Sequence, residues 1–244
     1  MEIGPGLGVL TKELAKQVGW VVAIELDNRL AALLEKTRTS FDNVAIINEN
    51  ILNIDPAALL SEQRTRLPAA TDTPFNYKVV ANLPYYITSP VLRHFLEASV
   101  KPQLMVVMVQ KEVAEAIVAK PGQMSVLSIS VQFYGKPSII SHVPAQCFYP
   151  PPEVDSAILR IDVFPQPAIA VTDISRFFEL VRAGFTASRK QIGNSLAQGL
   201  GLTKAEVLPS LDRAKIAPQR RAETLTLDEW AQLRRVFTVA REEK

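Results

Sequence analysis

"MEIGPGLGVLTKELAKQVGWVVAIELD", Met1 to Asp27, carries three alternating glycines, Gly4, Gly6 and Gly8, directly after Glu2 and Ile3. Behind them "VLTKELAKQV" repeats its apolar residues at three and four, the period of a helix face. "WVVAIEL" (Trp20 to Leu26) is too uniformly apolar to alternate, as befits a strand buried on both faces of a parallel sheet. Strand, tight glycine turn, helix and strand make the first βαβ unit of a doubly wound α/β sheet. The turn needs glycine because it bends sharply and lets the backbone come close to a ligand.

The same alternation continues outward. "NVAIIN" (Asn43 to Asn48), "YKVVAN" (Tyr77 to Asn82) and "QLMVVMVQ" (Gln103 to Gln110) read as strands, and "NRLAALLEKT" and "SPVLRHFLEAS" as the helices beside them. "SIISHVP" and "SAILRIDVF" flank Pro150 to Pro152 and predict a closing antiparallel pair. "FPQPAIAVTD" (Phe164 to Asp173) is proline-spaced and ends in an N-cap residue, Thr172 or Asp173, which sets a boundary. Beyond it "ISRFFELVRAGF", "KQIGNSLAQGL", "TKAEVLPSL" and "TLDEWAQLRRVF" are helical with no strand among them. Two domains are expected: residues 1–165 around the sheet, and a small all-helical domain over 172–244.

At 244 residues and 48% hydrophobic content the chain can bury a sizeable core. "LMVVMV" (Leu104 to Val109) is far short of the roughly 20 residues a membrane span needs, and no basic-then-apolar leader opens the chain. A soluble, cytoplasmic protein is expected. One cysteine, Cys147, and two histidines, His94 and His142, scattered in sequence, argue against an internal disulfide or a metal site. The net charge of +2 implies no partner by itself. Between Arg182 and Arg235, however, basic residues outnumber acidic ones, so the C-terminal part has the composition of a nucleic-acid-binding surface.

The glycine turn is a weak signal alone. Glu25, ending the next strand about 20 residues on, strengthens it, because a carboxylate there can accept hydrogen bonds from ribose hydroxyls. The spacing G-x-G-x-G, without the extra residue of the dinucleotide pattern, suits a nucleoside lacking a pyrophosphate, such as S-adenosylmethionine. Asn50, after the strand "NVAIIN", stands where a side chain could read adenine, or is simply a loop asparagine. "VVANLPYYITSP" (Val79 to Pro90) puts Asn82 to Tyr86 just past a buried strand, where open α/β sheets bind ligands.

"EIGPGLG", "ELD", "NLPYYITSP", "QKEVAE", "FYPPPEVDSA", "ASRKQIGNSL" and "RAETLTLDEWAQL", in that order, resemble the ribosomal RNA small-subunit adenine dimethyltransferase family (KsgA/RsmA type) over essentially the whole chain. The resemblance implies a Rossmann-like S-adenosylmethionine methyltransferase sheet with a helical C-terminal domain. It implies dimethylation of the exocyclic amines of two adjacent adenosines in the 3′-terminal hairpin of 16S rRNA, within the immature 30S subunit. Glu2, Gly4, Gly6, Gly8, Glu25, Asn50 and Asn82 would then line the cofactor. Asn82, with a carbonyl of Leu83 or Pro84, would orient the reacting amine, and Tyr85 and Phe148 would sandwich the base. Arg189, Lys190, Arg220 and Arg221 would contact RNA. Tyr86 is expected to be packing, and Tyr85 to work through its ring face, so that Tyr85→Phe costs much less than Tyr85→Ala.

Two departures from the family are apparent. Members carry a longer stretch before the glycine turn, with a Gln-Asn-Phe-Leu segment over the cofactor, so the chain reads as N-terminally shortened, with its first strand truncated to Met1, Glu2 and Ile3. Weak cofactor binding and poor methylation are expected from that. Asn50 stands where aspartate is usual, which adds a donor and removes a charge. Two alternatives come from other classes: a non-catalytic ribosome-assembly factor that binds small-subunit rRNA, and a large-subunit rRNA methylase conferring antibiotic resistance, which the "RAETL" tail disfavours. A DNA adenine methylase fits less well, since "NLPY" replaces an acidic motif. A monomer without metal is expected.

Overall fold

The computed structural model describes residues 1–37, 41–64 and 76–242, with side chains to 237. The last two residues of the expected helical domain, Glu243 and Lys244, lie outside the described residues. The first strands and helices are β1 (Glu2–Ile3), α1 (Val9–Gln17), β2 (Val21–Glu25), α2 (Asn28–Thr37), β3 (Val44–Asn48) and α3 (Pro56–Gln63). β4 (Lys78–Asn82), α4 (Thr88–Leu96), β5 (Leu104–Gln110), α5 (Lys111–Ile117) and α6 (Val126–Tyr134) follow. After them come β6 (Gly135–Val143), β7 (Ser156–Val163), α7 (Ile174–Phe185), α8 (Ile192–Leu200), α9 (Lys204–Arg213) and α10 (Leu227–Glu242).

The strands form one seven-stranded sheet in the order β3-β2-β1-β4-β5-β7-β6. β1 to β5 run parallel, and β7 enters antiparallel beside β5. The chain moves one way from β1 to β3 and the other way from β4 to β5. Right-handed crossovers therefore put α1 and α2 on one face and α4 on the other. All five residues of β2 are buried, which explains its continuous apolar reading. β1 pairs through only two residues on each side, Glu2 and Ile3, although it lies in mid-sheet.

The chain divides into two compact units, Met1–Ala114 with Lys136–Pro165, and Glu115–Gly135 with Gln166–Lys244. Thus the segment around α6, which the sequence reading assigned to the first domain, clusters with the C-terminal helices. The reason is aromatic packing: Phe133 of α6 stacks on Phe177 at 5.1 Å and meets Phe178 edge-on at 5.2 Å, both on α7. The same unit buries Trp230 completely and stacks it on Phe185 at 6.0 Å. α7 and α8 approach closely enough that a Cβ on Gly199 would stand 2.5 Å from the Ala183 backbone. Asp173 caps α7, its carboxylate accepting from the Arg176 N–H at 2.9 Å.

Candidate active site

Chain order reverses between β1 and β4, and the carboxyl ends of the strands open a crevice there. Register fixes which residues share it. Ile3 pairs with Ile24 on one side and Ala81 on the other, so Gly4, Glu25 and Asn82 each follow one residue later, level with one another. With two strand spacings between them, Glu25 and Asn82 stand about 10 Å apart across the glycine turn.

Gly4, Gly6 and Gly8 all take positive φ, at 63°, 57° and 77°. Nothing lies within 4 Å of where a Cβ on Gly4 or Gly6 would project, so the space over the turn is open. At Gly8 a Cβ would instead meet Leu34 Cδ2 at 2.5 Å. Glu25 holds the turn directly: Oε2 accepts from the Gly6 N–H at 3.0 Å and Oε1 from the Asp27 N–H at 2.9 Å. Each oxygen keeps a lone pair for a ligand hydroxyl. Glu2 lies beneath, 1% exposed, and burial raises the pKa of its carboxyl. Asn50 caps the 3-10 turn Ile51–Asn53, its Oδ1 accepting from the Leu52 N–H at 3.0 Å, so one lone pair of that oxygen is already spent.

These residues fit the cofactor implied by the motif: an open glycine floor, a carboxylate fixed by two backbone donors, and an amide beside them. Asn82 is exposed, and its side chain has no hydrogen-bond partner among the described residues. Leu83 is buried at 1% exposure, and its N–H extends the ladder to Met108 O at 3.2 Å. Pro84 O accepts from the Ile87 N–H at 3.1 Å, closing the one-turn helix that carries Tyr85. Tyr85 is half-buried, and its hydroxyl lies 2.8 Å from Ser156 Oγ, a bond between residues 71 apart that sequence reading missed. Tyr86 is 80% exposed, so the expectation that it packs is corrected. Phe148 is half-buried at the end of the 3-10 turn Ala145–Cys147.

In the helical unit Arg189 and Lys190 are exposed in the turn before α8, and the Ile192 N–H bonds to Arg220 O at 2.6 Å, which draws the two basic pairs together. Arg221 is exposed, with Glu223 3.7 Å away. Arg220 behaves differently. Its guanidinium grips both oxygens of Glu229 and donates to Thr224 Oγ1 at 3.2 Å and Thr224 O at 2.6 Å. These bonds tie the 220–224 loop to α10, so the Arg220 guanidinium, expected from the sequence to contact RNA, has its hydrogen bonds within the unit.

A doubly wound sheet with a glycine turn after β1, a carboxylate ending β2 and an amide-proline turn ending β4 defines a Rossmann-like methyltransferase. The chain belongs to the Ribosomal RNA adenine dimethylase family, whose pattern matches residues 1–238. It is 53% identical over 240 residues to a Ribosomal RNA small subunit methyltransferase A of Dehalococcoides mccartyi, spanning 98% of this chain and 78% of that protein. Among solved structures it resembles the 23S rRNA methyltransferase ErmE, with TM-score 0.70, 26% identity and coverage of 97% and 89% of the two chains. The fold also matches a dimethyladenosine transferase from Plasmodium falciparum, with TM-score 0.76, 22% identity and coverage of 98% and 89%. No helix among the described residues is long and apolar enough to cross a membrane.

Proposed function

We propose that this chain dimethylates the exocyclic amines of two adjacent adenosines in the 3′-terminal hairpin of small-subunit rRNA, acting as a cytoplasmic monomer on the immature 30S subunit. The observation that carries the chemistry is Asn82, an exposed amide with no internal partner, level with the glycine turn. The small-subunit target is supported by 53% identity to a small-subunit enzyme, against 26% to a 23S enzyme.

An adenine amine is a poor nucleophile because its lone pair is delocalised into the ring. Asn82 Oδ1 and one main-chain carbonyl can accept its two hydrogens and turn the lone pair out of the ring plane. Pro84 O is already engaged by Ile87, which favours Leu83 O as that second acceptor. Tyr85 and Phe148 offer faces for the unstacked base. Extruding a base costs a few kcal/mol in a duplex and less in a hairpin loop, which suits the proposed target.

S-adenosylmethionine, when bound, supplies a methyl group activated on a sulfonium, with a neutral thioether as leaving group. Gly4 and Gly6 would form the floor under it and Glu25 would hold the ribose. No general base is required, since the amine proton can leave after transfer; positioning carries the rate. The test is labelled methyl incorporation into undermethylated small subunits. Asn82→Ala should lower the rate on the order of 100-fold or more while RNA binding persists. Parental activity in that variant would remove Asn82 from the chemistry, and a parent that labels only large subunits would overturn the target.

A further inference from the structure

We infer that Asp155 and Ser156, consecutive residues leading into β7, are positioning residues that together fix both aromatic faces of the active site. The inference rests on the reading of Tyr85 and Phe148 as the faces that receive adenine.

Tyr85 opens the 3-10 turn Tyr85–Ile87 that leads directly into α4, and the residue is only half-buried there. Its hydroxyl reaches Ser156 Oγ at 2.8 Å. Ser156 is fully buried and pairs with Gln110 in the β5–β7 ladder, so the far end of the ring is tied to a strand. A tether there restricts both side-chain torsions, which a tether nearer the backbone would not.

Asp155 performs the matching task for Phe148. Its own carbonyl accepts from the Lys111 N–H at 3.0 Å, which roots it beside β5. Its Oδ1 accepts from the Ala145 N–H at 3.0 Å, at the start of the 3-10 turn Ala145–Cys147. That turn delivers Phe148, whose N–H bonds to Ala145 O at 3.1 Å. The proline-rich loop is thereby closed at its neck. Successive residues of a strand point to opposite sides, so this two-residue step can serve two loops, as the walls of a sandwich require.

The test combines kinetics on undermethylated small subunits with fluorescence of a hairpin carrying 2-aminopurine at the target adenosine. Ser156→Ala and Tyr85→Phe remove the same bond, so each should lower kcat by about 3- to 10-fold, and the double variant no further. KM for S-adenosylmethionine should not move, which separates positioning from general damage. Asp155→Ala should match that loss, while Asp155→Asn, which keeps the acceptor oxygen, should retain near-parental kcat. Stacking quenches 2-aminopurine, and the quench should weaken in Ser156→Ala and Asp155→Ala.

Additive losses for Ser156→Ala and Tyr85→Phe, or Asp155→Asn as damaging as Asp155→Ala, would overturn the inference. A parent that neither methylates nor quenches would instead sink the adenine reading. Amide exchange over residues 145–148 would still decide the clamp, because Asp155→Ala must speed it.

Discussion

Replacing Arg220 with alanine should unfold the helical unit more readily while leaving the RNA contacts of its neighbours intact. Its guanidinium makes four hydrogen bonds, two to Thr224 and two to the Glu229 carboxylate. The pair is neither exposed nor sealed, with side chains 32% and 27% accessible, so its loss should fall between the ~1 kcal/mol of a surface pair and the ~3–5 kcal/mol of a buried one. About 2–3 kcal/mol is expected, and for a unit of this class a midpoint lowered by roughly 10 °C or more. The effect has a pH signature. The Arg220 hydrogen bond, above all other causes, holds Glu229 below its ordinary value of 4.5. A depressed carboxylate stabilises fully above its unfolded value and loses that contribution as pH falls through the folded one, so parent and variant should converge in acid below 4.5. Hydrogen exchange is the local assay, because the Ile192 N–H bonds to Arg220 O at 2.6 Å and should lose protection with the loop. Arg220→Ala with a parental midpoint, but RNA affinity reduced as in Arg189→Ala, would refute the reasoning.

Neutralising Arg189, Lys190 and Arg221 together should weaken subunit binding and flatten its salt dependence, with cofactor affinity and melting temperature unchanged; binding isotherms at several salt concentrations check this. Glu25→Gln should weaken S-adenosylmethionine binding by ~10-fold or more in calorimetry, because an amide offers one oxygen where Gly6 and Asp27 present two donors. Gly199→Ala should destabilise the helical unit by about 1–3 kcal/mol in denaturant melts, since its Cβ would stand 2.5 Å from the Ala183 backbone.

The parallel strands were legible because burial on both faces leaves uninterrupted apolar runs, and the glycine turn because alternate glycines announce repeated positive φ. Side-chain partnership was not. Arg220 and Arg221 are adjacent and alike in sequence, yet one is held by Glu229, which only the fold brings near. The tie between Tyr85 and Ser156 spans 71 residues and leaves no local pattern, so the tyrosine hydroxyl looked dispensable. Tyr86, read as packing from its apolar ring, is 80% exposed because the 3-10 turn after Pro84 faces it to solvent. The place of α6 was hidden for a related reason: an apolar helix shows that it will be covered, not which unit will cover it.

Each compact unit is assembled from two separate stretches of chain, with crossings after Ala114, Gly135 and Pro165. No single cut can therefore release either unit whole. A fragment ending at Pro165 would carry Phe133 without Phe177 and Phe178, and a fragment beginning at Gln166 would have the reverse deficit. During synthesis the ribosome must extrude α6 well before the helices that shelter it, so its apolar face waits uncovered while the sheet completes itself with β7. The newly made chain therefore carries its own folding debt in the middle, and fragment expression should be planned around all three crossings rather than one linker.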